Sequence, residues 1–356
     1  MLRNLAAMGL GLASALLLAE LCCRVLPVSG ATFTGYHVDP MIVSYPPHHH
    51  WWVSTGWDLR NARQLKANNL GFVADTDFVP GGDAIGLVGD SYVEAGMLDP
   101  KDRPAPRLAA HLAGQARQVY ALGGPGSALL DYAERIRFAR ERLGLRDFVV
   151  LMEPGDLRQS LCGSGNVHAS CLDPASLAPR TETLAPPSLA KRWLRHSALA
   201  QYLVGQLKID PARLLQQTFG APSAHAAAPR PVPGQVSGAM APGISQSQID
   251  MVQAVARQFF ARVRTLDITR LVFVVDGRRD RAALDQAPGG PPGVMQERDA
   301  FIAIARQNGA VVVDAEPLFR QHWAQSRLSL AVAPQDAHLN LIGVDMLMRA
   351  AADAMP

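Results

Sequence analysis

The sequence predicts an α/β protein built on a parallel sheet with helices on both faces. Three observations predict it. Five short apolar runs recur along the chain, helical apolar patterns separate them, and Gly, Asp or Pro follows most of the runs. Runs of this kind read as strands buried on both faces, and strands alternating with helices imply a parallel sheet.

The first run, Ala84-Ile85-Gly86-Leu87-Val88, leads into Gly89-Asp90-Ser91. The second, Val119-Tyr120-Ala121-Leu122, leads into Gly123-Gly124-Pro125-Gly126. The third is Phe148 to Met152, the fourth Leu271 to Val275 and the fifth Ala310 to Val313. Helical patterns are expected near 104–115, 129–143, 249–266 and 295–308, with a last one over 341–354. Residues 158–248 break the rhythm and are expected to be an insertion carried by the sheet domain. Within it, Lys191 to Leu207 has helical character, and Gly220 to Gly243, rich in Ala, Pro, Gly and Ser, reads as a flexible excursion. Trp193, with Arg192 and Arg195, belongs to an amphipathic stretch that either packs on the core or approaches a membrane.

Residues 1–28 are expected to be an N-terminal transmembrane signal anchor. Leu5 to Val25 is almost uninterrupted apolar sequence, about the twenty residues a helix needs to span a bilayer. Arg3 before it favours a cytoplasmic N-terminus. Glu20 and Arg24 lie near its far end, close enough to pair. A cleaved signal peptide and a buried core helix are the alternatives. Either membrane reading exports the rest of the chain, as a single-pass protein of the inner membrane with its main domain in the periplasm or outside, or as a secreted protein after cleavage. Cys162 and Cys171 stand close together in a Gly/Ser/Asn loop, and an exported compartment permits a disulfide between them; two free thiols, or a metal site with His168 that lacks a fourth ligand, are the alternatives.

Residues 29–83 form an N-terminal extension without strong periodicity. Its run His48-His49-His50-Trp51-Trp52 reads as a solvated loop with interfacial aromatics more readily than as a metal site, since no carboxylate or cysteine is placed to complete one. The formal net charge of +3 over 356 residues, without a dense basic block, argues against a nucleic-acid partner. With no Gly-rich phosphate loop, nucleotide fingerprint or metal-ligand spacing, no cofactor or metal is expected.

Sites in a parallel α/β sheet form at the carboxyl ends of strands, and the chemistry-bearing clusters fall there. Gly89-Asp90-Ser91 presents a hydroxyl at a strand-to-helix turn. Read alone, Ser91 is a helix cap as readily as a nucleophile. Asp336-Ala337-His338 sits just before the last helix, where the imidazole can take a serine proton while the carboxylate orients it. Asp276-Gly277-Arg278-Arg279-Asp280, after the fourth run, reads as a solvated loop with local ion pairs, an anion site being the alternative.

Together the first and last clusters resemble the SGNH (GDSL-type) serine hydrolase and esterase superfamily, over residues 84–157 and 268–354. The resemblance implies a flavodoxin-like three-layer α/β/α sandwich of strand order 2-1-3-4-5, spanning 84–356. It implies Ser91 as nucleophile, His338 as base, Asp336 as its partner, and an oxyanion hole from the Ser91 and Gly126 backbone. In the third block, Glu153-Pro154-Gly155-Asp156 carries Gly155 where the family usually has Asn, so Gly155 is a further candidate for the hole only through its backbone. Asp156 is expected to be ionised near neutral pH and to repel an oxyanion. A subset of the family carries a similar Gly-Asp version. Ala95 also stands where a glycine is usual.

The function implied is a membrane-tethered, exported serine carboxylesterase that removes a small acyl group, such as acetyl, from an envelope or extracellular glycan or another small ester. An O-acyltransferase using the same acyl-enzyme, and a catalytically inactive envelope binding module, are the alternatives.

Overall fold

The computed structural model describes residues 2–30, 32–112, 114, 117–166, 169–209, 244–279, 293–333 and 336–355. The chain divides into two compact units: Met1–Phe33, His50–Leu65 and Ala185–Ser237 form one, and Thr34–His49, Lys66–Leu184 and Gly238–Pro356 the other. Parts of 29–83 and of 158–248 fall in each unit, and residues 210–243, with the Ala/Pro/Gly/Ser excursion, lie outside the described residues.

The larger unit is organised by five parallel strands: β1 (Ala84–Val88), β2 (Gln118–Leu122), β3 (Asp147–Met152), β4 (Arg270–Val275) and β5 (Val311–Asp314). Their spatial order is β2-β1-β3-β4-β5, the order the resemblance implied. Side chains alternate along each strand, as the two-residue period of a strand requires. Ala84, Val88, Phe148, Val150, Met152, Phe273 and Val275 join one core. Ile85, Leu87, Val149, Leu151, Val272 and Val274 join the other. The sheet is therefore dry on both faces, which explains why its strands read as continuous apolar runs.

Eight helices of this unit enter the argument, labelled α1 (Ser91–Glu94), α2 (Pro104–His111), α3 (Leu129–Leu143), α4 (Asp156–Gln159), α5 (Gln246–Val263), α6 (Val294–Gln307), α7 (Ala315–Gln325) and α8 (Leu341–Asp353). Helices α3, α5 and α6 bury Ile136, Phe259 and Phe301 in the first core. Helices α2, α7 and α8 bury Leu108, Phe319 and Leu347 in the second, completing three layers. Helix α7 is not foreseen in the sequence. It begins where Asp314 accepts the Glu316 N–H at 3.0 Å.

The 34–49 part of the chain, read from sequence as irregular, forms a hairpin of Gly35–Asp39 with Ile42–Ser44. Just after it, the Tyr45 hydroxyl donates to both Glu94 oxygens, at 3.3 and 3.1 Å. Glu94 ends the short helix that starts at Ser91, so this contact buttresses the turn carrying that serine. Burial pushes the Glu94 carboxyl up to about 7.

In the smaller unit the N-terminal helix, Leu2–Val25, has the length and composition to cross a membrane, a test that a signal sequence also passes. A second helix, Leu189–His196, is followed by a short turn of helix, Ala198–Ala200, and a π-helical turn, Gln201–Gln206. The Glu20 carboxylate accepts from Ser197 Oγ at 2.8 Å, Ala198 N at 3.1 Å and Leu199 N at 2.9 Å. Arg24 donates to Glu20 at 2.8 Å and to the His196 carbonyl at 3.1 Å. Gln206 accepts from Ser29 N and donates to the Gly56 carbonyl, tying in the hairpin of His50–Thr55 with Arg60–Lys66.

The Glu94 shift sets a pH dependence of stability. Its folded value lies above its unfolded one, so the folded state holds the proton more tightly. Stability is full below about pH 4.5 and declines as pH rises through about 7, by at most roughly 3 kcal/mol. Glu94→Gln, which keeps the shape and removes the charge, is expected to flatten this decline in chemical denaturation between pH 5 and 8. An unchanged slope would show that Glu94 does not titrate in this range.

Candidate active site

Ser91 opens α1 immediately after β1, at the point where the sheet's winding reverses between β1 and β3. Asp90 caps the helix by accepting the Tyr92 N–H at 2.8 Å. As the first helical residue, Ser91 has an N–H with no partner inside its own helix. The turn is anchored from below by Arg135 of α3, which is 2% exposed. Its guanidinium donates to the Gly89 carbonyl at 2.8 Å and to Ser127 Oγ at 2.6 Å, joining the loops after β1 and β2. Gly123 lies so close to α1 that a Cβ there would meet Glu94 N at 2.6 Å and Asp90 O at 3.0 Å.

His338 reaches Ser91 from the other end of the chain. The Ser91 Oγ to His338 Nε2 distance is 2.9 Å. The second ring nitrogen, Nδ1, is 2.6 Å from Asp336 Oδ1, and the same oxygen accepts the His338 backbone N–H at 3.1 Å. The three residues are half-buried. The strand Asp336–Leu339 pairs with Ala331–Ala333. Asn340 fixes its far end: its side-chain oxygen caps α8 through Ile342 N and Gly343 N, while its amide nitrogen donates to the Ser329 and Ala331 carbonyls.

Gly126 adopts a left-handed φ of +69°, which a residue with a Cβ reaches only at a cost. A Cβ at Gly126 would lie 3.4 Å from Asn166 Oδ1. Asn166 Nδ2 donates to Gln159 Oε1 at 2.7 Å, and a Cβ at Gly155 would meet Gln159 Nε2 at 3.0 Å. Gly126, Asn166, Gln159 and Gly155 thus form a continuous row containing two side-chain amides. The sequence reading missed both amides. Asn166 is held in the loop closed by a disulfide between Cys162 and Cys171, and that loop was the available signal.

Asp156 differs from expectation. It is fully buried, accepting from Tyr132 Oη at 2.9 Å and from the Glu153 N–H at 2.8 Å. Burial, with Asp90 and Glu153 nearby, pushes its carboxyl well above the usual range. A carboxyl shifted this way holds its proton more tightly, which lessens the repulsion foreseen for an ionised Asp156. Burial likewise raises Glu153 to about 8, and the neighbouring Asp276 adds to the shift.

The loop after β4 is also not the solvated run foreseen. Asp276 is 1% exposed, and Arg279 is largely covered; Asp280 lies outside the described residues. The Arg279 guanidinium bonds Asp276, Glu153 and the carbonyl of Ala337, the residue between Asp336 and His338. Its central carbon sits 4.5 Å from the Tyr92 ring centroid, and that ring lies 4.7 Å from the His338 ring. Arg279 is a positioning residue, placed to hold the Asp336–His338 segment over Ser91.

Among the described residues, one grouping of potential metal-binding side chains occurs, Cys162, Cys171 and Glu182. The two sulfurs are bonded to each other, and Glu182 accepts the Gly163 N–H at 2.9 Å. These donors do not suit a metal.

No protein-family model matches the chain, and no curated protein matches it. Among solved structures it is similar to LAE5, described as an alpha/beta hydrolase enzyme from the metagenome of Lake Arreo, Spain, at 13% identity and TM-score 0.41, covering 78% of this chain and 97% of that one. A carbohydrate acetylesterase family member from Sinorhizobium meliloti is 11% identical, with TM-score 0.38 and coverage of 77% and 97%. A member of the lipolytic protein G-D-S-L family from Veillonella parvula DSM 2008 is 10% identical, with TM-score 0.39 and coverage of 76% and 97%. Likenesses at this level say nothing of this chain's substrate; the strand order and side-chain geometry above stand on their own.

Replacing Arg279 by Ala frees the Ala337 carbonyl and the Tyr92 ring together. The expected result is a fall in the rate of Ser91 acylation by an activated ester of about tenfold or more, with the pH–rate profile displaced and circular dichroism unchanged. Wild-type acylation with a wild-type profile would deny Arg279 any part in aligning His338.

Proposed function

We propose that this chain is a membrane-tethered, exported serine carboxylesterase that removes a small acyl group from an envelope or extracellular glycan or a comparable ester. The observation that carries the reading is the unbroken row Ser91 Oγ, His338 Nε2, His338 Nδ1, Asp336 Oδ1, with hydrogen-bond contacts of 2.9 and 2.6 Å.

The chemistry follows from that row. As Ser91 Oγ attacks the acyl carbonyl carbon, His338 Nε2 takes the hydroxyl proton and Asp336 steadies the imidazolium. The carbonyl oxygen becomes an oxyanion facing the Ser91 and Gly126 backbone. A third donor for the hole is assigned to Gln159 Nε2, which approaches Gly155 and whose amide oxygen is held by Asn166 Nδ2. Collapse of the intermediate expels the alcohol, which takes the proton from His338 and leaves an acyl-Ser91 ester. Water then attacks that ester, losing a proton to His338, and the second collapse returns the proton to Ser91 Oγ with release of a carboxylic acid.

Two features support the tether and the compartment. Glu20 and Arg24 make five hydrogen bonds, one to each other and the rest to residues 196–199, and cleavage of a signal peptide would strip those partners away. The Cys162–Cys171 disulfide suits an oxidising compartment. Acyl transfer to a sugar hydroxyl would use the same acyl-enzyme and differs only in the acceptor.

Two outcomes test the reading. Purified full-length protein should be labelled by a fluorophosphonate and should hydrolyse p-nitrophenyl acetate. Ser91→Ala should abolish labelling and lower kcat by about 10⁴-fold or more. Folded wild-type protein that takes no label would leave a binding module as the better account. For the amide row, Gln159→Ala should lower kcat about a hundredfold with little change in KM. A KM effect alone would reassign Gln159 to substrate binding.

A further inference from the structure

The helix Leu189–His196 lies within the region expected from sequence to be an insertion, and the chemistry at Ser91 makes no use of it. Its composition is divided by face. Leu189 and Trp193, one helical turn apart, stand with Leu194 on an apolar side, whereas Lys191, Arg192 and Arg195 are basic. Among the described residues the apolar side is left uncovered: Leu189 is 67% exposed, Trp193 79% and Leu194 51%. From Ala185 to Lys208 the chain contains no Asp or Glu. An exposed tryptophan is costly in water, and beside cations it suits the zone where acyl chains meet anionic headgroups.

The height of this helix is set by the contacts at its end. The residues just after it, Ser197 to Leu199, are bound by Glu20, and the His196 carbonyl is bound by Arg24. Glu20 and Arg24 belong to the last turns of the N-terminal apolar helix, where its polar residues begin. If that helix spans the bilayer, its far end reaches the headgroups, and Leu189–His196 is held at the same level. Trp57, on the hairpin whose carbonyl accepts from Tyr202 at 2.8 Å, is likewise 75% exposed.

We propose that Leu189–His196 is a second membrane contact: an interfacial helix that lays Leu189, Trp193 and Leu194 into the surface of the bilayer and pairs Lys191, Arg192 and Arg195 with anionic phospholipid headgroups. The inference rests on the tether proposed above. It assigns to this segment a task that a single spanning helix cannot perform, since one helix leaves the attached unit free to tilt away from the membrane surface.

The test uses the full chain reconstituted into vesicles of phosphatidylcholine, or of phosphatidylcholine mixed with phosphatidylglycerol, carrying lipids brominated near the carbonyl end of the acyl chain. Part of the tryptophan emission should be quenched by the brominated lipid, and Trp193→Phe should reduce that part about twofold. The combined variant Lys191→Glu, Arg192→Glu, Arg195→Glu should lower the quenching in the phosphatidylglycerol mixture while remaining in the membrane fraction after carbonate extraction. Carbonate-resistant wild-type protein whose quenching is unaffected by Trp193→Phe would overturn the surface contact and leave the tether standing. Wild-type protein released by carbonate would overturn the tether and this inference with it.

Discussion

A single contact across 247 positions of sequence, from Ser91 Oγ to His338 Nε2, sets the constraint that the sheet unit satisfies. In the order β2-β1-β3-β4-β5, the serine leaves β1 while the histidine belongs to a segment that follows β5. Three strand spacings separate those strands, about 14 Å. The chain after β5 must therefore return across the carboxyl ends of β4 and β3. The polar groups found along that path follow from it. Arg279 leaves the end of β4, Glu153 follows β3, and Arg279 joins both to the Ala337 carbonyl.

Burial in that region has an electrostatic result. Asp90, Glu94, Glu153 and Asp156 are gathered below the serine, and burial raises all four. Four full negative charges there would oppose any anion forming above them. Beside them the structure sets a hydroxyl on Glu94, a hydroxyl on Asp156 and two guanidinium groups, Arg135 and Arg279. A buried carboxyl that holds its proton more tightly is a weaker source of repulsion than a freely ionised one, which softens the objection that Gly155-Asp156 raises on paper.

The fold was legible because strands buried on both faces leave continuous apolar runs, and each of the five runs is a strand with its limits within a residue or two. Ser91, Asp336 and His338 could be singled out because each sits beside a strand end or a helix start, where residue types are restricted. The hairpins at 35–44 and 50–66 were not legible, since short, partly exposed ribbons carry no apolar stripe. Asp156 and Arg279 were misjudged for one reason: charged residues default to water in a sequence reading, and only the packing reveals that they are enclosed. Asn166 and Gln159 were invisible because their approach to Gly126 and Gly155 is a tertiary contact that local pattern does not encode.

His338 and Ser91 rest on supports of unequal stiffness. Ser91 is attached to a central strand with a fully enclosed arginine beneath it. His338 rides on a two-stranded ribbon outside the main sheet, whose register is irregular and whose residues are mostly half-covered. Such ribbons have little stability of their own and open before a core does. Gentle warming would then part the imidazole from the hydroxyl while the sandwich remains intact, and inactivation would run ahead of melting.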